Sequence, residues 1–182
     1  DVDPLLETLC HNLAVRLGLR RHVELLVTSR GIGPAVFGFF RPVIVLPQRV
    51  LAESSPPQQE TILAHELMHL RRGDTLIGFL QLLVQSMWWF HPLVWWANRQ
   101  IIRERERCCD DEVVAGLDCE PSDYAQTLLD VLKSSRHLQA VPGVPGIRPM
   151  ELTKRRLEHI MSSGRRFGRT PIRHWLLLLL LT

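Results

Sequence analysis

The sequence predicts an α+β domain, mostly helical, with a small antiparallel sheet packed beside one central helix. Three observations predict it. Apolar residues recur at helical spacing through most of the chain, above all at Ile62, Leu63, Leu67 and Leu70. Strand-like runs are confined to the stretch from Val23 to Leu46. A length of 182 residues, 46% hydrophobic and 23% charged, suits one core of ordinary globular composition.

Each element carries its own signal. Pro4 to Gly18 sets Leu5, Leu6, Leu9, Leu13, Val15 and Leu17 at helical spacing, with Asp3 as cap, Pro4 in the first turn and Gly18 as the stop. Val23 to Thr28 reads as a strand and Ser29 to Pro34 as a Gly/Pro turn. Ala35 to Phe40 and Val43 to Leu46 read as two more strands, joined around Arg41-Pro42, and Pro47 to Ala52 as a short helix. Ser55, followed by Pro56 and Pro57, caps a helix that runs to Arg72 and stops at Gly73. Thr75 to Phe90 is apolar nearly all round, which in a soluble protein predicts central burial; it contains Gln81 and Gln85 and is short for a membrane span. Pro92 restarts a helix that continues through Glu106 to about Gly116. Ser122 caps an amphipathic helix to Leu138, Gln139 to Pro149 forms a loop over the site, and Glu151 to Ser163 is a last helix.

Charge and cysteines exclude some functions. A formal charge of +3 is too small to argue for nucleic acid, and Arg165 to Arg173 lacks a recognition-helix pattern. Cys10, Cys108, Cys109 and Cys119 show no C-x-x-C spacing and read as reduced thiols in a cytosolic setting. Arg165, Arg166, Arg169, Arg173 and His174 precede the apolar run Trp175 to Leu181. Residues 165–182 therefore read as a basic juxtamembrane segment entering a truncated transmembrane helix, and residues 1–164 as the cytoplasmic domain. Trp88, Trp89, Trp95 and Trp96 suit either a membrane-interface belt or a core.

The chemistry centres on His65-Glu66-Leu67-Met68-His69. Two imidazoles four residues apart share a helix face and can bind one metal ion. Glu66, one step round the helix, can reach a water on that ion as general base. A catalytic zinc takes three protein ligands. Glu106 is the favoured third, with Glu104 and Glu112 as rivals, and Asp110 on the same face is placed to orient a ligating histidine. Asp74 is a helix cap or, alternatively, a partner of His69. The candidates for stabilising an oxyanion are His91, Arg155, Arg156 and His159. Ala35, Val36, Phe37, Gly38 and Phe39 offer an edge strand to which an extended peptide can pair. Two imidazoles and a carboxylate suit zinc, one ion per chain.

His65 to His69 followed by Arg71-Arg72-Gly73-Asp74, then Phe90-His91-Pro92-Leu93-Val94-Trp95, then Glu106-x-x-Cys109-Asp110, resembles the BlaR/MecR family of membrane-embedded antirepressor metallopeptidases. The stretch from Gly38 to Pro47 is similar to that family too, and the likeness runs from Asp3 to about Gly164. The resemblance implies a gluzincin-like zinc endopeptidase domain, zincin-like in fold, on the cytoplasmic face of a multi-pass membrane protein. It implies signal transduction by cleavage of a repressor-like protein, with the chain itself as a further substrate. Membrane attachment is expected through transmembrane helices outside this chain and through the region Trp88 to Trp96. No direct nucleic-acid contact is expected, and a homodimer of the full-length protein is left open. The alternative reading is a non-catalytic zinc-binding signalling module of a membrane sensor.

Overall fold

The computed structural model describes residues 2–30, 32–38, 40–134 and 149–163. In chain order the elements are α1 (Pro4–Arg16), β1 (Glu24–Thr28), β2 (Ala35–Phe37), β3 (Val43–Pro47), α2 (Gln48–Glu53), α3 (Pro56–Arg72), α4 (Asp74–Met87), α5 (Pro92–Leu117), α6 (Pro121–Ser134) and α7 (Pro149–Ser163). Asp3 accepts the N–H of Leu5 at 2.9 Å and Pro4 opens the first turn, so α1 starts where its capping chemistry dictates. Its buried face, Leu6, Cys10, Leu13 and Ala14, packs into one apolar cluster with Ile44 and Leu46 of β3, Val50 of α2, and Ile62, Leu63 and Leu67 of α3.

The sheet has the order β1-β3-β2. β2 and β3 form the expected antiparallel hairpin, Ala35 opposite Val45 and Phe37 opposite Val43. β1 and β3 are parallel, Glu24 beside Val43 and Thr28 beside Pro47, so the sheet is mixed rather than antiparallel throughout. The chain from β1 crosses to the far edge before the hairpin turns back, which leaves β3 in the middle. That central position explains its continuous apolar run, with Ile44, Val45 and Leu46 all buried. β2 stops at Phe37 because Gly38 turns the chain at φ +84°, where a Cβ would lie 2.3 Å from the carbonyl oxygen of Arg41.

α3 is the axis of the domain. Ser55 donates its N–H to the Gln58 side chain at 2.9 Å, Pro56 follows, and Gly73 closes the helix in the left-handed conformation at φ 72°. Every residue from Thr61 to Met68 is buried. Ile62, Leu63 and Leu67 face the first cluster. Ala64 and Met68 face a second, with Cys109, Val113 and Val114 of α5, Tyr124 and Ala125 of α6, and Ile160 of α7.

Three expectations are corrected here. α4 is not centrally buried: only Asp74 and Gln85 are buried, while Phe79, Leu80 and Leu82 are each more than half exposed. α6 begins at Pro121, which puts Ser122 inside the first turn instead of at the cap, and α7 begins two residues early, at Pro149. Among the described residues no helix is long and apolar enough to cross a membrane. Phe39, the end of the Ser122–Leu138 helix, most of the Gln139–Pro149 loop and the segment 165–182 lie outside the described residues.

Candidate functional site

The face of α3 that meets neither apolar cluster carries His65, Glu66 and His69. They open on a cleft of about 600 Å³. Its walls are Pro34 to Gly38 along the β2 edge, Thr127, Leu128 and Val131 of α6, and Gly78, Arg105, Glu106 and Arg156 across from them. Four residues of spacing bring the two imidazoles together: His65 Nε2 and His69 Nε2 are 3.2 Å apart. α5 adds Glu106, its carboxylate 3.6 Å from His65 Nε2 and 3.7 Å from His69 Nε2. All three side chains are nearly buried.

The other ring nitrogens fix what these three can do. His69 Nδ1 lies 2.7 Å from Asp74 Oδ2, and a carboxylate only accepts, so Nδ1 carries the proton and donates it. Asp74 is thus the first residue of α4 and a partner of His69, with Gly73 in the capping position. His65 Nδ1 lies 3.0 Å from the Tyr124 hydroxyl, which itself donates to Asp110 Oδ1 at 2.6 Å. Burial, and then the Asp110 charge, push the Tyr124 phenol well above its ordinary pKa, so it keeps its proton. That proton goes to Asp110, and His65 Nδ1–H donates to the phenol oxygen. Both Nε2 lone pairs are then aimed at each other and at the Glu106 carboxylate.

Three electron-pair donors that converge in this way call for a cation, and the Arg156 guanidinium meets two of them from one side, Nη2 at 3.3 Å from His65 Nε2 and Nη1 at 3.2 Å from Glu106 Oε2. Tetrahedral zinc ligands at about 2.0–2.1 Å from the ion stand about 3.3 Å from one another. The separations of 3.2, 3.6 and 3.7 Å are close to that figure. The donor set therefore fits a zinc-sized divalent ion. His69, Asp74 and Cys109 form a second group of converging atoms. There, burial and the charges of Asp74 and Glu106 push the Cys109 thiol strongly up.

Arg156 of α7 completes the site. Its Nε and Nη2 donate to Asp110 at 2.9 and 2.6 Å, and Nη1 stands 3.2 Å from Glu106 Oε2. Burial opposes ionisation of Glu106, yet the neighbouring positive charge, led by the Arg156 guanidinium, outweighs it and holds this carboxyl well below the usual range. Asp110, fully buried, stands 3.6 Å from His65 Nδ1 and acts on it through Tyr124 instead of by direct contact.

Of the oxyanion candidates only Arg156 lines the cleft. His91 is exposed at the N-cap of α5, where its Nδ1 accepts the N–H of Leu93. It lies about 22 Å along the helix axis from Glu106, at about 1.5 Å per residue. Arg155 is on the exposed side of α7, and His159 is turned to Asp111 at 2.9 Å. The rival ligands also face away: Glu104 pairs with Arg107 and Glu112 with Arg72. Tyr124 carried no sequence signal for this role. Its place opposite His65 follows from the packing of α6 on α3.

A buried helix presenting paired histidines and an acid from a second helix to an open cleft is architecture of the peptidase class. The chain belongs to the BlaR1 peptidase M56 family, whose model matches residues 4–160. It is 33% identical over 102 residues to the regulatory protein BlaR1 of Bacillus licheniformis, covering 55% of this chain and 17% of that protein. It is 28% identical over 125 residues to the methicillin resistance mecR1 protein of Staphylococcus aureus, covering 67% of this chain and 21% of that protein. The chain thus matches about a fifth of the length of these relatives.

Proposed function

We propose that this domain is a zinc endopeptidase in which His65, His69 and Glu106 hold the metal and Glu66 is the general base. It serves a membrane-bound signal transducer and hydrolyses a cytoplasmic, repressor-like protein and the chain itself. The carrying observation is the convergence of the two Nε2 lone pairs and the Glu106 carboxylate on a cleft that Glu66 also lines. Zinc, when bound, supplies Lewis-acid polarisation of a carbonyl and a lowered pKa for water. Glu66 takes the proton of the attacking water and passes it to the leaving amine as the peptide C–N bond breaks. Asp74 and Tyr124 hold the imidazole tautomers, and Asp110 acts behind Tyr124. Arg156, which lines the cleft together with Arg105, can face negative charge on the carbonyl oxygen. The β2 edge, Ala35 to Gly38, offers main-chain groups to an extended substrate.

The family relatives carry the words regulatory and resistance in their names, which supports the signalling role. The test is metal analysis and peptide hydrolysis on one set of variants. Glu66→Gln keeps stoichiometric zinc and loses about 10²–10⁴-fold in hydrolysis. Glu106→Ala and His65→Ala lose the zinc. Full zinc in Glu106→Ala would overturn the ligand set. Hydrolysis unchanged in Glu66→Gln would overturn the base.

A further inference from the structure

From Thr75 to Asn98 the chain holds no Asp, Glu, Lys or Arg. This stretch is a helical hairpin: α4 runs out, Trp88 to His91 make the tip, and the start of α5 returns. Its polarity is inverted. The two arms meet through a seam of neutral amides, Gln81 donating to Asn98 at 2.5 Å and Asn98 donating to Gln85 at 2.7 Å. Ser86 returns its hydroxyl proton to the Leu82 carbonyl, and the Trp95 indole donates to the Trp89 carbonyl at 2.6 Å. Those polar side chains are satisfied inside the hairpin, as a medium without hydrogen-bonding capacity requires.

The apolar side chains face outward. At about 100° per residue, the exposed series from Leu82 through Phe79, Leu83, Leu76 and Leu80 to Ile77 covers about 220° of the α4 circumference. A protein partner laid along one side covers a stripe, whereas a fluid apolar medium covers an arc this wide. Trp89 and Trp96, each more than 60% exposed, lie at the tip and on the returning arm. At the base, Arg20, Arg21, Arg71 and Arg72 line one surface cleft with Thr75 and Leu76, and exposed Arg99 follows the seam residue Asn98. Arg71 and Arg72 also meet Glu112, at 3.9 and 2.7 Å. A group of arginines at the base of a charge-free hairpin is complementary to anionic phosphates above acyl chains.

We propose that the α4–α5 hairpin is set into one leaflet of an anionic bilayer, with the arginines of its base at phosphate level. The 14 residues of α4 extend about 21 Å, at about 1.5 Å per residue. That is short of a hydrocarbon core of about 30 Å, so the hairpin enters and leaves on the same side. The inference deepens the membrane part of the function proposed above and is independent of its chemistry. The insertion also fixes orientation: α4 begins at Asp74, beside His69, so the cleft sits close to the membrane surface.

The test uses intrinsic tryptophan fluorescence. Trp175→Phe removes one of five tryptophans and leaves four, all between residues 88 and 96. This protein is mixed with vesicles of phosphatidylglycerol and phosphatidylcholine at 3:7, with or without bromine on the acyl chains. Emission falls at least twofold with the brominated lipid, and vesicles of phosphatidylcholine alone bind several-fold more weakly. Adding Phe79→Glu and Leu83→Glu abolishes the quenching while zinc content and far-UV dichroism stay at the parent values. The quenching of the parent is decisive even where that double variant does not fold. Protein that floats with the vesicles yet stays unquenched overturns the hairpin and leaves membrane attachment standing. Unquenched protein that forms a dimer, dispersed by Leu83→Glu, overturns it in favour of a second copy of the chain.

Discussion

α3 and α4 are consecutive helices separated by one glycine, and their burial is the reverse of their composition. α3 carries His65, Glu66 and His69 and is buried on every side between Thr61 and Met68. α4 is the more apolar of the two and buries only Asp74 and Gln85. α3 lies between two apolar clusters, and its polar face shares a cleft with charged groups from α5 and α7. α4 meets α5 along one side and α3 at its first turn, and its apolar side stays exposed among the described residues. Composition tells how much surface a helix would gain by leaving water. Which medium receives that surface depends on the neighbours.

Removing a charged partner from the buried side breaks the comparison most sharply. Asp110→Ala leaves Arg156 without its bidentate acceptor, and the expected loss is about 3–5 kcal/mol in urea unfolding. A loss under 1 kcal/mol would mean that the network is solvated. Next comes a matched pair of truncations. Leu63→Ala, at a fully buried position of α3, should cost about 2–5 kcal/mol. Leu83→Ala, at a nearly half-exposed position of α4, should cost within about 0.5 kcal/mol in detergent-free buffer. Equal costs would show that α4 is covered in solution.

A smaller effect isolates the histidine support. Tyr124→Phe deletes the hydroxyl between His65 and Asp110 and leaves the ring in the second apolar cluster. Zinc affinity should fall about 10–100-fold, read by chelator competition, with the unfolding midpoint of the zinc-loaded protein lowered accordingly. A further effect is alkaline. Burial pushes the Cys10 thiol up to about 11, so the folded chain holds this proton longer than the unfolded chain does. Its contribution is complete below about 9 and is lost as pH rises towards 11. Wild type should therefore lose stability relative to Cys10→Val across that window, and parallel curves would remove Cys10 from the account.

His65 and His69 were legible because four-residue spacing on a helix is a local fact, and Glu106 because it shares a face with Asp110 on another helix. Tyr124 was not legible. Neither were the position of His91 away from the cleft and that of Arg156 on its wall, since each depends on which surface of α6, α5 or α7 meets α3. The mixed sheet escaped for the same reason: the hairpin of β2 and β3 is set by neighbours in the chain, whereas the parallel pairing of β1 with β3 is a long-range choice.

The amino-acid order by itself determined the helices, their caps at Asp3, Ser55 and Gly73, the β2–β3 hairpin and the paired imidazoles, because each rests on contacts within a few residues. Only the tertiary structure decided that α4 turns its apolar side outward and that Tyr124 and Arg156 stand at the histidines. Both outcomes depend on where separate elements come to rest, and the same local pattern is compatible with water, lipid or protein on its far side until those elements are in place.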